Sequence, residues 1–510
     1  MGSKTFNLAL QPWIKLEGAD SVGLRELFAL EEPPKLAGTP TERFVVFRLL
    51  LAVLQAACTL EEDDDLEGLS IEEMKANAVE YLDIHADAFD LFDEKHPFLQ
   101  YPQVVSEKKA LPAGALVLGV CTGNATLLLE SNSASELTAA EEAYLLLHQL
   151  ILGFGGKKAD MTIILSKDLQ KRGSAPASPA LGRGWLHSVP LGKDLFSSLW
   201  LNLLTEADLR SNAKQLTTGI GRPAWEHMPD SEDSEAALTY AASLQGRLLP
   251  LSRFCLLEET GMFNMTTGIA YPPITSGVAD PSVSLKALKG GVYSALRAQT
   301  GEQPWRQIES ILAFDGKYGK EGCWLMNEAR NRGSEDDGTA CVGVWCVGLQ
   351  ISDKAGEQYF SAQDGFVEQK FMLHSGWEAG GFLARYVDGM KKVSDLSKIL
   401  YSCVASYFDE LTGNSSDKGG KTSDAAKKRA AAAVESFWRL ADTKGSEFVN
   451  QCSIGECSNL IRIFAGYVET IYFQACTAEG ARQLLAWAKH RPNLSKFRKS
   501  ISVKEMRHGN

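Results

Sequence analysis

The sequence predicts an α+β protein in which a large mixed, loop-rich N-terminal domain (residues 1–374) precedes a C-terminal four-helix bundle (residues 375–510). A chain of 510 residues is too long for one hydrophobic core, so more than one domain is expected. Hydrophobic residues make up 45% and charged residues 23% of the chain, which is typical of globular proteins. After about Trp377 the apolar residues recur every three to four positions, whereas before it no single period holds.

The N-terminal domain is predicted to begin with short strands and two helices. Residues 6–15 form an apolar stretch interrupted by proline, which is typical of a short strand. Pro40 opens a helix whose apolar residues share one face, and a second helix is predicted from Ala139 to Leu152. Between these helices, residues 112–133 alternate small and apolar side chains, which indicates strands joined by an exposed loop.

Residues 160–375 are predicted to be mixed and rich in loops. Short strand-like runs, at Met161–Leu165 and Val342–Leu349, lie among turn signals. This region shows neither the alternation of strand and helix nor the internal repeat that a doubly wound parallel sheet or a repeat array requires.

Four amphipathic helices are predicted in the C-terminal domain. The first ends before a polar linker at residues 413–420, and Ser423 is a favourable N-cap for the second. The third follows the apolar stripe from Leu460 to Ala475, and the fourth begins near Thr477 and ends before Pro492. Amphipathic helices joined by short connections favour a four-helix bundle.

Composition predicts a cytoplasmic protein. The sequence contains no apolar run of the ~18 residues that a membrane span needs, and residues 1–6 lack the apolar core of a secretory signal. The ten cysteines are scattered without a C-x-x-C pair, which argues against a zinc ribbon and against a disulfide framework. We therefore expect reduced cysteines and no metal site.

Charge is distributed unevenly along the chain. The formal net charge is −12, but residues 480–510 contain eight Lys or Arg against one acid, and residues 157–193 contain seven against two. Acids concentrate elsewhere, as in residues 61–65. This distribution suits a protein that touches nucleic acid over a small area and other proteins over a large one. A solvated tail and a charged loop explain the same composition equally well.

Sequence patterns of common catalytic sites are absent. The chain contains no H-E-x-x-H, no G-x-S-x-G and no G-x-G-x-x-G after a predicted strand. Residues 419–422 end like a nucleotide-binding Walker A loop, but Ser415 stands where that pattern needs glycine, and a predicted helix precedes it instead of a strand. We expect no enzymatic activity and no cofactor. A scaffold protein and, after it, an unrecognised hydrolase are the alternatives that the sequence leaves open.

One loop combines three glycines within four residues with two lysines: Gly153-Phe154-Gly155-Gly156-Lys157-Lys158. Backbone without Cβ atoms can adopt positive φ and approach another surface closely. Its N–H groups and the lysines could face a phosphate backbone or a DNA groove. A helix C-cap explains Gly153 equally well.

Seven short stretches resemble, in the same order, the CasA family, the large subunit of the type I-E CRISPR surveillance complex Cascade. They are Phe6-Asn7-Leu8 with Pro12-Trp13-Ile14, His96-Pro97-Phe98-Leu99-Gln100, Gly153-Phe154-Gly155-Gly156, Leu201-Asn202-Leu203-Leu204-Thr205, Pro223-Ala224-Trp225, Pro304-Trp305, and Asn327 to Arg330. Together with the C-terminal bundle they cover essentially the whole chain.

The resemblance implies a subunit without enzymatic activity in a guide-RNA ribonucleoprotein of the prokaryotic cytoplasm. Its partners would be the other Cascade subunits, the CRISPR guide RNA, double-stranded target DNA and the helicase-nuclease recruited after target binding. The subunit would read the PAM, the short motif that flanks the DNA target, largely from the minor-groove side, and help to open the duplex.

Three groups of residues carry over from the family by this resemblance. The PAM-binding glycine loop falls on Gly153, Phe154, Gly155 and Gly156, with Lys157 beside it. The wedge that splits the duplex follows Gly348-Leu349 and falls on Ser352, Asp353 and Lys354, where the family often has glutamine. The loop that contacts the guide-RNA end of the complex falls on Leu127, Leu128, Leu129, Glu130, Ser131 and Asn132.

Two further features bear on DNA binding. The family places a lysine on a β-turn before the position of Phe263, where this chain has Glu259-Thr260-Gly261-Met262. Another cation could replace that lysine, or PAM preference could differ. The basic tail offers Lys496, Arg498 and Lys499 as contacts to a DNA strand. The main alternative to the DNA-binding function is a scaffold or adaptor subunit of another complex that does not touch nucleic acid.

Overall fold

A computed structural model describes residues 4–117, 136–154, 158–169, 177–312, 322–334, 338–352, 365–373, 381–413, 422–455 and 457–498. The chain divides into two compact units. Unit 1 comprises residues 1–304 and 310–369, and unit 2 comprises residues 305–309 and 370–510. The division after residue 374 that the sequence suggested stays a prediction.

The predicted α+β class is confirmed. The strands described form four small sheets, with the orders β1-β2, β10-β9-β4, β3-β6-β5 and β7-β8. Their bounds are β1 Ile14–Leu16, β2 Ala19–Val22, β3 Leu111–Pro112, β4 Leu186–Leu191, β5 Arg253–Leu257, β6 Met262–Thr267, β7 Leu285–Ala287, β8 Tyr293–Ala295, β9 Gly343–Leu349 and β10 Phe366–Met372.

Helices alternate with these strands along the chain. The α-helices described before the C-terminal bundle are α1 Leu24–Ala29, α2 Pro40–Ala57, α3 Asp63–Glu67, α4 Ile71–Ile84, α5 Ala139–Ile151, α6 Leu195–Leu201, α7 Glu206–Ser211, α8 Glu235–Ala241, α9 Leu244–Leu248, α10 Ile308–Leu312 and α11 Trp324–Arg332. Short 3-10 helices lie at Ala86–Phe89, Ala113–Leu116, Leu181–Arg183, Ile274–Ser276 and Pro304–Arg306.

Helix α2 is the centre of the unit 1 core. Thr39 and Glu42 form a capping box at its start, and Pro40 occupies the first turn, where its missing N–H costs no hydrogen bond. Its residues from Phe44 to Gln55 are all buried, as expected for a helix surrounded by protein. The helix packs against α4, α5, α6 and α9, so the prediction of a helix from Pro40 is confirmed.

Of three strand predictions, one is confirmed in part, one is largely untested and one is wrong. Within the stretch predicted at residues 6–15, Asn7 makes a single bridge to Asp90, and the strand is confined to the end of the stretch, at Ile14–Leu16. In the stretch predicted at residues 112–133, Ala113–Leu116 forms a 3-10 helix, and residues 118–135 lie outside the described residues, so the strands expected there stay a prediction. Met161–Leu165 forms no strand, because the Asp160 carboxylate accepts hydrogen bonds from the N–H and hydroxyl of Thr162 and closes a turn there.

The C-terminal unit is helical. Its described helices are α12 Phe382–Thr412, α13 Asp424–Asp442, α14 Gly445–Ile454, α15 Ser458–Ala475, α16 Ala481–Lys489 and α17 Ser495–Arg498. Helices α12, α13, α15 and α16 are the four that the sequence predicts, and Ser423 caps α13 as expected. Helix α12 packs against α13, α14, α15 and α16.

The sequence did not predict helix α14, because its first residue, Gly445, is of a type that usually interrupts a helix. A Cβ on Gly445 would lie 2.4 Å from the indole of Trp305, so glycine is required there by close packing. The Trp305 indole N–H donates to Asp442 at the end of α13, at 2.7 Å. Gly445 therefore allows helices α13 and α14 to pack closely against Trp305.

Within the described residues, no helix is long and apolar enough to span a membrane. The nine cysteines of this part of the chain are not in disulfides. No group of three or more His, Cys, Asp or Glu side chains in the same part of the chain is arranged to hold a metal ion.

Candidate nucleic-acid interface

The glycine loop begins where helix α5 ends. Thr138 and Glu141 form a capping box at the start of this helix, and the N–H of Leu152 donates to the His148 carbonyl at its end. Gly153 follows with φ +26°, and a Cβ there would lie 2.9 Å from the Gln149 carbonyl oxygen. Glycine is therefore needed at this position for both its backbone conformation and its close packing.

A buried arginine holds the first residues of the loop. Arg253, 1% exposed, opens strand β5. Its Nη2 donates to the carbonyl oxygens of Gly153 at 3.1 Å and Phe154 at 2.8 Å, and its Nη1 donates to the Ser252 carbonyl at 2.8 Å. Phe154 is buried beside it, 5% exposed. One planar guanidinium thus fixes two successive carbonyls of the loop.

The segment 178–184 packs against the same residues. The Ser178 N–H donates to the Gly153 carbonyl at 3.0 Å, and its hydroxyl donates to the Leu150 carbonyl at 2.7 Å. A Cβ on Gly182 would lie 1.9 Å from the Leu152 carbonyl oxygen, so any other residue would displace the backbone there. The entrance to the loop is therefore held from two sides.

The far side of the loop is attached to strand β6. The Asp160 N–H donates to the Met265 carbonyl at 2.7 Å, and its carboxylate accepts from the Ser106 hydroxyl at 2.5 Å. Burial lowers the pKa of the Lys158 ammonium to about 8. Because β5 and β6 pair in register from Arg253–Thr267 to Leu257–Phe263, both sides of the loop are attached to one hairpin. Gly155, Gly156 and Lys157 lie outside the described residues.

The candidate wedge follows strand β9. The Gln350 side-chain oxygen accepts from the N–H and hydroxyl of Thr300, both at 2.7 Å, and the Gln350 N–H donates to the Gly365 carbonyl at 2.7 Å. The bond to Gly365 joins the two ends of the segment that connects β9 and β10, and the bonds from Thr300 hold its first residues in place. Ser352 is half-buried at its start, while Asp353 and Lys354 lie outside the described residues.

The segment 178–184 connects the two candidate sites. Ser178 contacts the glycine loop, as described above. At the other end, a Cβ on Gly184 would lie 3.3 Å from the Leu349 carbonyl oxygen and 3.8 Å from Ile351 Cβ, beside the wedge base. The structure therefore brings the bases of the glycine loop and the wedge to opposite ends of one short segment, which the sequence could not indicate.

The β-turn before Phe263 lies at the tip of the β5–β6 hairpin. The Glu258 N–H donates to the Met262 carbonyl at 2.8 Å, and Gly261 has φ +77° with no atom within 4 Å of its Cβ position. The sequence analysis missed Lys4, whose N–H donates to the Glu259 carboxylate at 2.9 Å. Its ammonium lies 2.7 Å from the Glu142 carboxylate, so Lys4 already has an acidic partner.

The comparisons with known proteins agree with this architecture. A family model described as CRISPR-associated protein Cse1 matches residues 7–458. The chain belongs to the CRISPR-associated Cse1 family. A solved structure described as Thermus thermophilus CasA (Cse1) shows that the two names denote one family, so the resemblance seen in the seven stretches is confirmed. Among curated proteins, none matches this chain.

Solved structures related to the Cse1 family share its fold over nearly their full length. Thermus thermophilus CasA is 21% identical with a TM-score of 0.72, covering 98% of this chain and 100% of its own. Thermobifida fusca Cse1 is 17% identical with a TM-score of 0.73, covering 97% and 98%. A chain of a CRISPR RNA-guided surveillance complex is 18% identical with a TM-score of 0.69, covering 97% and 99%.

The remaining candidate positions of this Cse1-family chain lie mostly outside the described residues. These are Leu127 to Asn132, expected at the guide-RNA end, and Lys499. Arg498 is the last residue of α17. The Lys496 ammonium lies 3.6 Å from the Asp395 carboxylate of α12 and 4.8 Å from the centre of the Phe497 ring.

Proposed function

We propose that this Cse1-family chain is the non-catalytic large subunit of a type I-E CRISPR RNA-guided surveillance complex, Cascade. In this proposal it recognises the PAM in double-stranded target DNA, assists opening of the duplex and recruits the helicase-nuclease for antiviral defence. Its partners are the other Cascade subunits and the CRISPR guide RNA, and it works in the prokaryotic cytoplasm.

The attachment of the glycine loop is the observation that carries the proposal. Gly153 and Phe154 are held through their carbonyls by Arg253, and Asp160 is held by Met265, so the residues between them are presented from a paired hairpin. Sites supported by strands are placed more accurately than sites on unsupported loops. Such a loop suits close contact with a surface of fixed shape.

The chemistry of the DNA minor groove fits a loop of this kind. Its floor offers purine N3 and pyrimidine O2 acceptors at every base pair, and the readout there is limited largely to telling A·T from G·C pairs. Backbone N–H groups on a loop with little side-chain bulk can reach such acceptors. Permissive PAM reading by the protein, with sequence specificity delegated to guide pairing, follows the division of labour of another RNA-guided system.

A single substitution tests whether the glycine loop contacts DNA. Gly156→Asp adds a side chain and a negative charge where the DNA must approach. We expect affinity for PAM-bearing duplex to fall roughly 5- to 150-fold, equivalent to the ~1–3 kcal/mol of one good recognition contact. Binding of single-stranded target should change much less, because guide pairing alone holds it. Both affinities are measured on the reconstituted complex.

Gly301→Asp is a matched control, since Gly301 has no atom within 4 Å of its Cβ position and takes no part in the attachment of the loop.

Wedge variants at Asp353 or Lys354 should keep initial PAM contact but open the duplex slowly. Pre-melted bubble targets should rescue the wedge variants but not Gly156→Asp. Equal loss on duplex and single-stranded targets, or no loss on either, would contradict the loop assignment.

The non-catalytic part of the proposal has its own test. The purified subunit should neither cleave DNA nor hydrolyse ATP. The Lys421→Ala substitution should leave CRISPR interference, the destruction of target DNA in cells, intact. ATP hydrolysis abolished by that substitution would overturn this expectation. A complex that assembles unchanged without guide RNA and binds no target DNA would favour the scaffold instead.

A further inference from the structure

Two cysteines of the helical unit lie together where one helix ends and the next begins. Cys452 is in the last turn of α14, and Cys457 immediately precedes α15, which begins at Ser458. Their thiols form a hydrogen bond with each other. We propose that Cys452 and Cys457 are an oxidisable dithiol, which hydrogen peroxide converts into a disulfide. The pair takes no part in the DNA-binding function proposed above.

The main chain on both sides of the pair is held in place. The Arg385 guanidinium of α12 donates to the carbonyl oxygens of Cys452 at 2.8 Å and Ser453 at 3.0 Å. The Ile461 N–H donates to the Cys457 carbonyl at 3.3 Å and closes the first turn of α15. A disulfide needs its two Cα atoms within about 7 Å of each other. Because the thiols already contact each other, a disulfide can form here with little movement of the backbone.

The two thiols differ in burial and in the charges that face them. Cys452 is 0% exposed, whereas Cys457 is half-buried, so peroxide reaches Cys457 first. The hydrogen bond from Cys452 and the nearby Lys392 ammonium outweigh burial and the Asp388 carboxylate, and the pKa of the Cys457 thiol falls to about 7. The same hydrogen bond, together with burial, raises the pKa of Cys452. Cys457 is therefore the attacking thiolate, and Cys452 is the thiol that resolves the product.

A second pair of neighbouring cysteines in the helical unit has a different environment. Cys403 is half-buried like Cys457, but burial raises the pKa of its thiol to about 11. Burial and the neighbouring Cys403 raise the pKa of Cys476 to about 12. At neutral pH both of these thiols are protonated, whereas about half of Cys457 is thiolate. Cys403 is thus an internal reference of similar exposure but low reactivity.

Oxidation of the pair proceeds in two steps. The Cys457 thiolate attacks one oxygen of hydrogen peroxide, the O–O bond breaks, and Cys457 becomes a sulfenic acid; the departing hydroxide takes up the proton that the Cys457 thiol released and becomes water. The Cys452 sulfur then attacks the Cys457 sulfur, the S–O bond breaks, and the hydroxyl group leaves with the Cys452 proton as a second water. The two cysteines together lose two electrons, which the peroxide gains. Dithiothreitol reverses the product by thiol–disulfide exchange.

Peroxide treatment of the reduced, full-length wild-type protein tests the proposal. Cys452 and Cys457 are the only cysteines in the tryptic peptide 445–462, so their disulfide appears as the loss of two hydrogen atoms from that peptide. Free thiols are alkylated at successive times and quantified peptide by peptide. At pH 7 we expect Cys457 to react roughly 100-fold faster than Cys403: its thiolate fraction is about 5,000 times larger, and its lower intrinsic nucleophilicity offsets part of that advantage.

Two variants separate the roles of the two cysteines. Cys452→Ala should retain the fast reaction but stop at the sulfenic acid, which dimedone labels at Cys457. Cys457→Ser should abolish the fast reaction and leave Cys452 reduced. Cys403→Ser is the matched control and should form the disulfide between Cys452 and Cys457 at the wild-type rate.

Three outcomes overturn the proposal: no disulfide in the peptide 445–462 of the oxidised wild-type protein, a fast reaction of Cys452 that survives Cys457→Ser, or equal rates at Cys403 and Cys457. The first and third are measured on the wild-type protein, so they stand even if a variant does not fold. A complex without PAM preference would contradict the proposed function and leave the dithiol unaffected.

Discussion

His187 is buried in unit 1 beside a chain of polar groups. Its Nδ1 lies 2.8 Å from the Ser282 hydroxyl, which donates to the Asp280 carboxylate at 2.6 Å. The Asp280 carboxylate pairs with Arg48 at 2.5 Å. Burial and the nearby Arg48 outweigh the attraction of Asp280, so the pKa of the imidazole falls to about 4. The ring therefore stays neutral at physiological pH.

This neutral histidine makes the folded state sensitive to mild acid. Between the ordinary pKa of 6.5 and about 4, the unfolded chain binds a proton that the folded chain does not, so the free energy of unfolding decreases as pH falls. Between pH 7 and pH 5 we expect a loss of about 2 kcal/mol from His187 and a similar loss from His148, whose pKa is also lowered to about 4 by burial. Urea unfolding at pH 7 and at pH 5 measures this change in the free energy of unfolding.

His187→Asn provides the comparison. The amide can occupy the position of Nδ1 but does not titrate, so this variant should be less stable at pH 7 yet lose less stability on going to pH 5. Wild-type and variant proteins with the same pH dependence would show that folding does not lower the pKa of His187.

At the scale of elements, the helices were the most predictable part of the fold. Thr39 and Glu42 before α2 and Ser423 before α13 are local signals, read within one turn. One failure was a local signal that was overlooked: the Asp160 carboxylate closes a turn with Thr162, two positions away, in place of a strand. Another came where a distant residue decides, because Gly445 admits the Trp305 indole. The same limit applies to the candidate site, whose glycines are visible in the sequence while Arg253, about a hundred positions away, is not.

The segment 178–184 touches both candidate sites, and Gly182 is tightly packed within it. Gly182→Ala would put a Cβ 1.9 Å from the Leu152 oxygen, so the segment must shift. We expect weaker binding of PAM-bearing duplex together with slower strand opening, because the shift reaches the loop through Ser178 and the wedge through Gly184. Fluorescence of a base analogue beside the PAM follows opening in real time.

Gly301→Ala serves as the control for that substitution, since its Cβ position is open and its backbone needs no positive φ. A Gly182→Ala complex that binds weakly but, once saturated with DNA, opens the duplex at the wild-type rate would show that the segment does not influence the wedge.

At the scale of the whole molecule, a chain of net charge −12 that binds DNA as proposed needs basic residues concentrated where the DNA lies. Lys496 is paired with Asp395 at 3.6 Å, but with 62% of its side chain exposed this pair is weak enough to exchange for a phosphate. Replacing Lys496, Arg498 and Lys499 with glutamate should weaken target binding and flatten its salt dependence, since each lost phosphate contact lowers the slope by about one. Affinities measured across a salt series give that slope.

The control for the tail changes the same number of charges elsewhere on the helical unit: Lys392, Lys427 and Lys444, each replaced by glutamate. These lysines pair with acids three or four positions away in sequence, at 2.8, 2.9 and 2.9 Å. If both triple variants flatten the slope equally, net charge alone accounts for the effect and the tail makes no specific contact.

The attachment of the glycine loop through main-chain atoms has a consequence for how such proteins diversify. Arg253 binds carbonyl oxygens, and Asp160 bonds through its N–H, so neither anchor depends on which side chains lie between them. If residues 155–157 contact DNA as proposed, we expect relatives of this chain to differ at these three positions, and in the flanking DNA motif they accept, without changes in the residues that anchor the loop.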